Sequence, residues 1–193
     1  MDAEWQLNPI IFSQIVSMLK FTPEIDLFAT RLNNQVTRFY SWQPDPDALA
    51  INAFAQQWHE NFMYAFPPFS MISRVLQKIE QERTERVLMI LPMWPTQNWW
   101  PGALGMLVRA PYLLPRKCIF LPQNPGETFP LKKIQMVAMC LSGNHTRTRD
   151  FRTGLSKSLP HHGGMALTTN IGRISNGFVS FRSLGDVITF APL

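Results

Sequence analysis

No stretch of this sequence approaches the roughly 18 to 20 consecutive apolar residues that a bilayer-spanning helix needs, so no membrane span is expected. The opening Met1-Asp2-Ala3-Glu4-Trp5 has neither a basic n-region nor an apolar h-region, and no secretory signal is predicted. Cysteine is scarce: Cys118 and Cys140 stand far apart, at no zinc or redox spacing. In a reducing compartment they read as two buried small apolar side chains rather than a disulfide. No internal repeat is visible. What the chain does have is apolar and aromatic content, 46% and 12%, enough for a sizeable core, and 193 residues, the length of one domain with something added.

The net charge of +5 is uneven. Residues 1–141 hold 12 Lys+Arg against 11 Asp+Glu, and residues 142–193 hold 6 against 2. A basic tail of this kind can touch nucleic acid through phosphates without reading sequence, or can be a solvated linker.

Asn8-Pro9 reads as a helix start, a cap followed by proline at the first helical position. Ile11, Phe12, Ile15, Val16 and Leu19 recur at helical spacing, which predicts a helix over 9–20. Residues 24–28 and 38–42 read as short strands. Asp45-Pro46 repeats the cap-then-proline signal, and Ala50, Ile51, Phe54 and Trp58 predict a second helix over 46–58. Residues 62–66 read as a strand stopped by Pro67-Pro68. Ser70 is a candidate cap for a helix that turns Met71, Ile72, Val75, Leu76 and Ile79 inward. Val87 to Leu91 is a continuous apolar run, as expected of a parallel strand covered on both faces. Later strands are expected at 119–121 and 134–141. Strands alternating with helices predict an α/β sheet with helices on its faces. From Ser142 the chain is polar and aperiodic, so the expected division is an α/β domain over 1–141 and a largely disordered, flexible basic tail over 142–193, with a short hairpin near 178–190.

The chemically informative segment is Tyr64-Ala65-Phe66-Pro67-Pro68-Phe69-Ser70, between a strand and a helix. Amino-methyltransferases place Asp, Asn or Ser, then Pro-Pro, then an aromatic at such a junction. The target amine is a weak nucleophile because its lone pair is delocalised into the ring. A side-chain oxygen and a backbone carbonyl accept its hydrogen bonds, the prolines fix φ, and the aromatic stacks on the extruded base. Here Phe66 stands at the acceptor position and has no acceptor oxygen, while Phe69 retains the stacking ring. The plainer alternative is a rigid corner flanked by two core phenylalanines.

The order of segments over residues 5–100 resembles the phage-type DNA adenine methyltransferase family. Shared are a helix leading to a strand with an acid, an Asn-containing stretch ending in an aromatic strand, a Trp-bearing segment, the Pro-Pro-aromatic-Ser loop, and a strand ending in Leu-Pro with a downstream Trp. The resemblance implies a three-layer Rossmann-like methyltransferase-type sheet, with Phe66, Pro67, Pro68 and Phe69 as the catalytic loop and Asp26 beside an S-adenosylmethionine pocket. A surface or loop-capping carboxylate is the alternative for Asp26. A closer resemblance is to DIRS-type retroelements, which encode a tyrosine recombinase and carry a methyltransferase-like domain after reverse transcriptase and RNase H. Glu24 to Asn33, Tyr64 to Phe69 and Trp94 to Trp99 look like that group, and the tail, with Ser142-Gly143 and His161-His162-Gly163, resembles the linker toward the recombinase. The chain holds neither the polymerase Tyr-X-Asp-Asp nor the recombinase Arg…His-X-X-Arg…Tyr set.

The resemblance implies a polyprotein fragment whose methyltransferase-like domain has lost catalysis and serves as a spacer or a weak, non-specific nucleic-acid contact. Its partners would be the neighbouring reverse transcriptase, RNase H and recombinase domains, and its location intracellular, cytoplasmic or nuclear. Two other readings stay open: an active S-adenosylmethionine-dependent DNA methyltransferase, and a ligand-free extension of RNase H. Among lesser candidates, His161-His162 lacks a third ligand and reads as linker. Trp94, Trp99 and Trp100 form either a stacking platform or core cover. Asp45 and Asp47 read as capping groups, and Glu80, Glu82 and Glu85 with Lys78, Arg83 and Arg86 as a solvated face.

Overall fold

The structure, a computed structural model, describes residues 4–128, 134–158, 173–175 and 177–193. Strand β1 (Gln6–Leu7) precedes helix α1 (Pro9–Leu19). The Asn8 side chain accepts the Ile10 N–H at 2.9 Å, and Pro9 fills a position whose N–H would have no helical partner. Lys20 ends the helix in the left-handed region, φ 57°.

Strands β2 (Ile25–Asp26) and β3 (Tyr40–Ser41) lie inside the two stretches predicted to be extended. The predicted helix over 46–58 is not formed. Strand β4 (Ala50–Ile51) runs there instead, parallel to β3. Leu49 N–H donates to the Phe39 carbonyl at 2.9 Å and Asn52 N–H to the Ser41 carbonyl at 2.7 Å. Asn52 then takes φ 61°, outside the helical region, and its side chain caps only one tight turn, Ala53–Ala55. Asp45 caps no helix: its oxygens accept the Arg31 and Asp47 N–H groups, each at 3.0 Å, and tie one loop to another. Strand pairing thus overrides a helical spacing that leaves Ile51 46% exposed while Trp58 is buried.

Strand β5 (Met63–Ala65) passes through Pro67-Pro68 into a single turn, Phe69–Met71, and helix α2 (Ile72–Gln81). Ser70 sits within that turn and caps nothing; the Pro68 carbonyl accepts the Met71 N–H at 2.8 Å and closes the corner. Ile72, Val75, Leu76 and Ile79 are buried as their spacing predicts, each contributing about 1.5–3 kcal/mol, whereas Met71 stays partly exposed. All six residues of β6 (Val87–Pro92) are buried. Helix α3 (Trp100–Gly105), then β7 (Tyr112–Leu113), β8 (Ile119–Leu121), β9 (Asn124–Thr128) and β10 (Met136–Leu141) follow.

The segment expected as a disordered tail departs from that reading where it is described. It holds helix α4 (His145–Ser158) and strands β11 (Arg173–Ser175), β12 (Phe178–Ser183) and β13 (Asp186–Pro192). The physical reason is alternation: Val179, Phe181, Ile188 and Phe190 all point inward and are buried. Strand β13 pairs parallel with β7, so the expected hairpin joins the main sheet.

That sheet has eight strands in the order β11-β12-β13-β7-β10-β6-β5-β2. Strands β2, β5 and β6 are mutually parallel, and antiparallel β10 separates β6 from β7. One face packs on α2 and α3, with Trp100 stacked on Phe190 of the hairpin at 5.9 Å. The other packs on α1 and β8 around Tyr64, Leu88, Ile90 and Ala138. The molecule is therefore a mixed α/β sheet flanked by helices. Among the described residues no helix is long and apolar enough to cross a membrane.

Candidate functional site

The carboxyl ends of the three parallel strands come out on one side of the sheet. Strand β2 ends at Asp26, β5 at Ala65 and β6 at Pro92, with Asp26 in register with Tyr64 and Tyr64 with Leu88. In open α/β sheets this is the side where ligands bind. Asp26, the Phe66–Phe69 corner and the Met93-Trp94 exit from β6 thus lie together.

The corner is built from rigid parts. Pro67 is buried, Pro68 is exposed, and Phe66 and Phe69 are half-buried. Phe66 packs toward the α1 face. Phe69 meets Trp94 edge-on, ring centroids 5.2 Å apart at 81°. The same ring packs against both core clusters. What the corner lacks is a side-chain acceptor: Phe66 offers none, while the Pro68 carbonyl accepts the Met71 N–H.

Asp26 is 1% exposed. Its Oδ1 accepts the Phe28 N–H at 3.3 Å and its Oδ2 the Gln35 N–H at 3.1 Å, so both oxygens hold down the loop that follows β2. Burial pushes its carboxyl up to about 7, against the lowering effect of the Gln35 and Phe28 hydrogen bonds. Four further side chains latch the same loop. Gln6 Nε2 donates to the Asn33 carbonyl at 3.1 Å and Asn33 Nδ2 to the Trp5 carbonyl at 3.2 Å. Thr30 Oγ1 donates to Glu4 at 3.0 Å, and Gln35 Nε2 donates to the Leu7 carbonyl. Beneath them the Tyr64 hydroxyl is buried without a hydrogen-bond partner among the described residues, its ionisation opposed by burial and by the nearby Asp26 charge.

Sequence reasoning placed Asp26 and the corner on one side of the fold but missed this latch. No local signal marks it, since its side chains reach backbone 27 and 28 residues away. Trp99 and Trp100 are buried core rather than a stacking surface, and only Trp94 reaches the site. Cys118 and Cys140 are free and buried, and burial pushes their thiols up to about 11 and about 12. His161-His162 lies outside the described residues. Among the described residues no three His, Cys, Asp or Glu side chains converge as a metal site.

The mixed α/β domain thus brings an acid and a proline-stiffened aromatic corner to the ends of its parallel strands. The family model for DNA N-6-adenine-methyltransferase (Dam) matches residues 2–136, and the chain belongs to that family. No curated protein matches the chain. Dam methyltransferases use S-adenosylmethionine. That cofactor needs accessible acceptors for its ammonium and ribose hydroxyls. The acid at the end of β2 does not supply one, because both its oxygens are engaged and it is closed from solvent. As arranged, Asp26 does not fit that acceptor role.

Proposed function

We propose that the chain is a degenerate DNA adenine methyltransferase domain of a DIRS-type retroelement polyprotein. It lies between reverse transcriptase–RNase H and a tyrosine recombinase, and is retained as a spacer and nucleic-acid contact in the cytoplasm or nucleus. The observation that carries this reading is Phe66: the corner keeps its prolines and stacking ring but has a hydrocarbon where the amine's hydrogen bonds must be accepted. Hydrogen bonds formed in a transition state are worth a few kcal/mol, so this loss slows transfer by roughly 100-fold or more. The strand order supports a Rossmann-like methyltransferase ancestry, since antiparallel β10 sits between β6 and β7 beside a parallel run. The closed Asp26 loop supports loss of the cofactor seat. The runs Glu24 to Asn33, Tyr64 to Phe69 and Trp94 to Trp99 support the retroelement origin.

Calorimetry with S-adenosylmethionine and a transfer assay with methyl-labelled cofactor on adenine-containing duplex test the proposal. No saturable heat and no label in DNA are expected, both for the natural chain and for Phe66→Asn. Saturable binding or labelled DNA from the natural chain would overturn the degenerate reading and leave an active methyltransferase in its place.

A further inference from the structure

The opposite end of the sheet carries a second feature, unrelated to the corner. Phe21 follows α1, and two guanidinium groups lie over its ring: Arg86 Cζ at 4.0 Å from the centroid and Arg109 Cζ at 5.1 Å. Arg86 also lies 5.6 Å from the Phe62 centroid, and Phe62 meets Phe21 edge-on at 6.0 Å. The charges of Arg86, Arg109 and Arg147 all bear on Cys140, which places the three around the end of β10. Among the described residues the carboxylate paired there is Glu85, bound to Arg147 and Asn144 and held below the usual carboxylate range by that Asn144 hydrogen bond first and by the Arg147 and Arg86 charges after it. Among the described residues neither Arg86 nor Arg109 has an ion-pair partner, and the sole hydrogen bond of the Arg86 side chain runs to the Asn61 carbonyl at 3.4 Å.

Two like charges drawn onto one ring repel each other unless an anion joins them. Stacking engages the flat face of a guanidinium and leaves its in-plane N–H groups available as a fork that suits phosphate oxygens. We propose that Arg86 and Arg109, braced on Phe21 and flanked by Arg147, form a phosphate-binding surface for the backbone of nucleic acid. This deepens the nucleic-acid contact proposed above and rests on that reading. It moves the contact away from the methyltransferase corner. The six residues of β6 set the two ends of the sheet roughly 17–20 Å apart, so the phosphates held at Arg86 are not those beside Phe69. The contact is sequence-independent, as befits groups that meet phosphates and no base edges.

Fluorescence anisotropy with a short labelled DNA duplex, run over a range of salt, tests the assignment on the full chain. Arg109→Glu is the principal variant because Arg109 is exposed and its replacement leaves the core untouched; Arg86→Gln/Arg109→Gln is the second, with circular dichroism as the folding check. Phe69→Ala reports on the corner. Both arginine variants are expected to bind about ten-fold or more weakly, with the double variant lowering the salt slope by about two, while Phe69→Ala leaves that slope as it is, since a ring neutralises no phosphate. Unchanged binding in the arginine variants with loss in Phe69→Ala overturns this surface and keeps the nucleic-acid reading. Absence of duplex binding by the natural chain overturns both. Capture of an acidic peptide with no duplex binding assigns the arginines to a protein partner and likewise overturns the proposal.

Discussion

At the scale of single residues, Asp26 is a buried carboxyl that holds a loop in place. It sits at the end of β2, where the family resemblance puts a cofactor-side acid, yet its oxygens bind its own loop. A buried carboxyl whose folded value is about 7, above its ordinary 3.8, makes the folded state take up a proton that the unfolded chain releases. Its contribution to stability is therefore full below about pH 4 and declines as pH rises toward 7, by an amount on the order of 4 kcal/mol. Thermal unfolding followed from pH 5 to pH 8 should show a falling midpoint, and Asp26→Asn should flatten that fall while losing one of the two loop hydrogen bonds. A variant that keeps the full slope would show that another group is responsible.

Between elements, the tightest join is the turn from β10 into α4. Gly143 N–H donates to the Thr84 carbonyl at 2.9 Å, and Ser142 Oγ donates to the same carbonyl at 3.0 Å. A Cβ at Gly143 would lie 1.9 Å from the Ile79 carbonyl oxygen and 2.9 Å from Arg83 Cα, both backbone atoms that cannot swing aside. Arg83 is itself left-handed at φ 51°. Gly143→Ala is expected to destabilise by about 3 kcal/mol or more, read as a lowered urea midpoint, since overpacking against rigid backbone sits at the severe end of such changes. A midpoint within experimental error of the parent would mean that the two turns part easily.

Elements differed in how plainly the sequence announced them. The apolar run of β6, the Asn8-Pro9 start of α1 and the Ile72-Val75-Leu76-Ile79 stripe were legible because each rests on local chemistry. Residues 46–58 misled because a helical spacing can arise by chance in a short window, and the pairing of Leu49 and Asn52 with β3 is invisible locally. The corner's position was legible, but the latch was not: Gln6 and Gln35 reach backbone 27 and 28 residues away, and no period marks a side chain that binds a distant carbonyl.

For the whole molecule, the hairpin and α4 are part of the folded body rather than an appendage. Trp100 lies against both Phe181, at 5.3 Å, and Phe190. Arg152 bridges α4 to Asp186 at 3.1 Å and to the Leu104 carbonyl at 3.1 Å. The sequence hid this because the alternation of Val179, Phe181, Ile188 and Phe190 is embedded in Gly, Ser, Thr and Arg. A chain ending at Leu141 is expected to lose on the order of 6 kcal/mol of apolar burial or more and to show no cooperative thermal transition. If that fragment melts at the midpoint of the full chain, the hairpin contributes nothing to the core.

The ring of Phe66 packs on the same cluster that joins Tyr64 to Phe12 of α1. A polar replacement there would leave a gap over that cluster and set a hydrogen-bonding group against hydrocarbon, a change that usually weakens a fold. Packing thus holds the aromatic in place: a chain carrying an acceptor at this position would have to survive with a looser first helix.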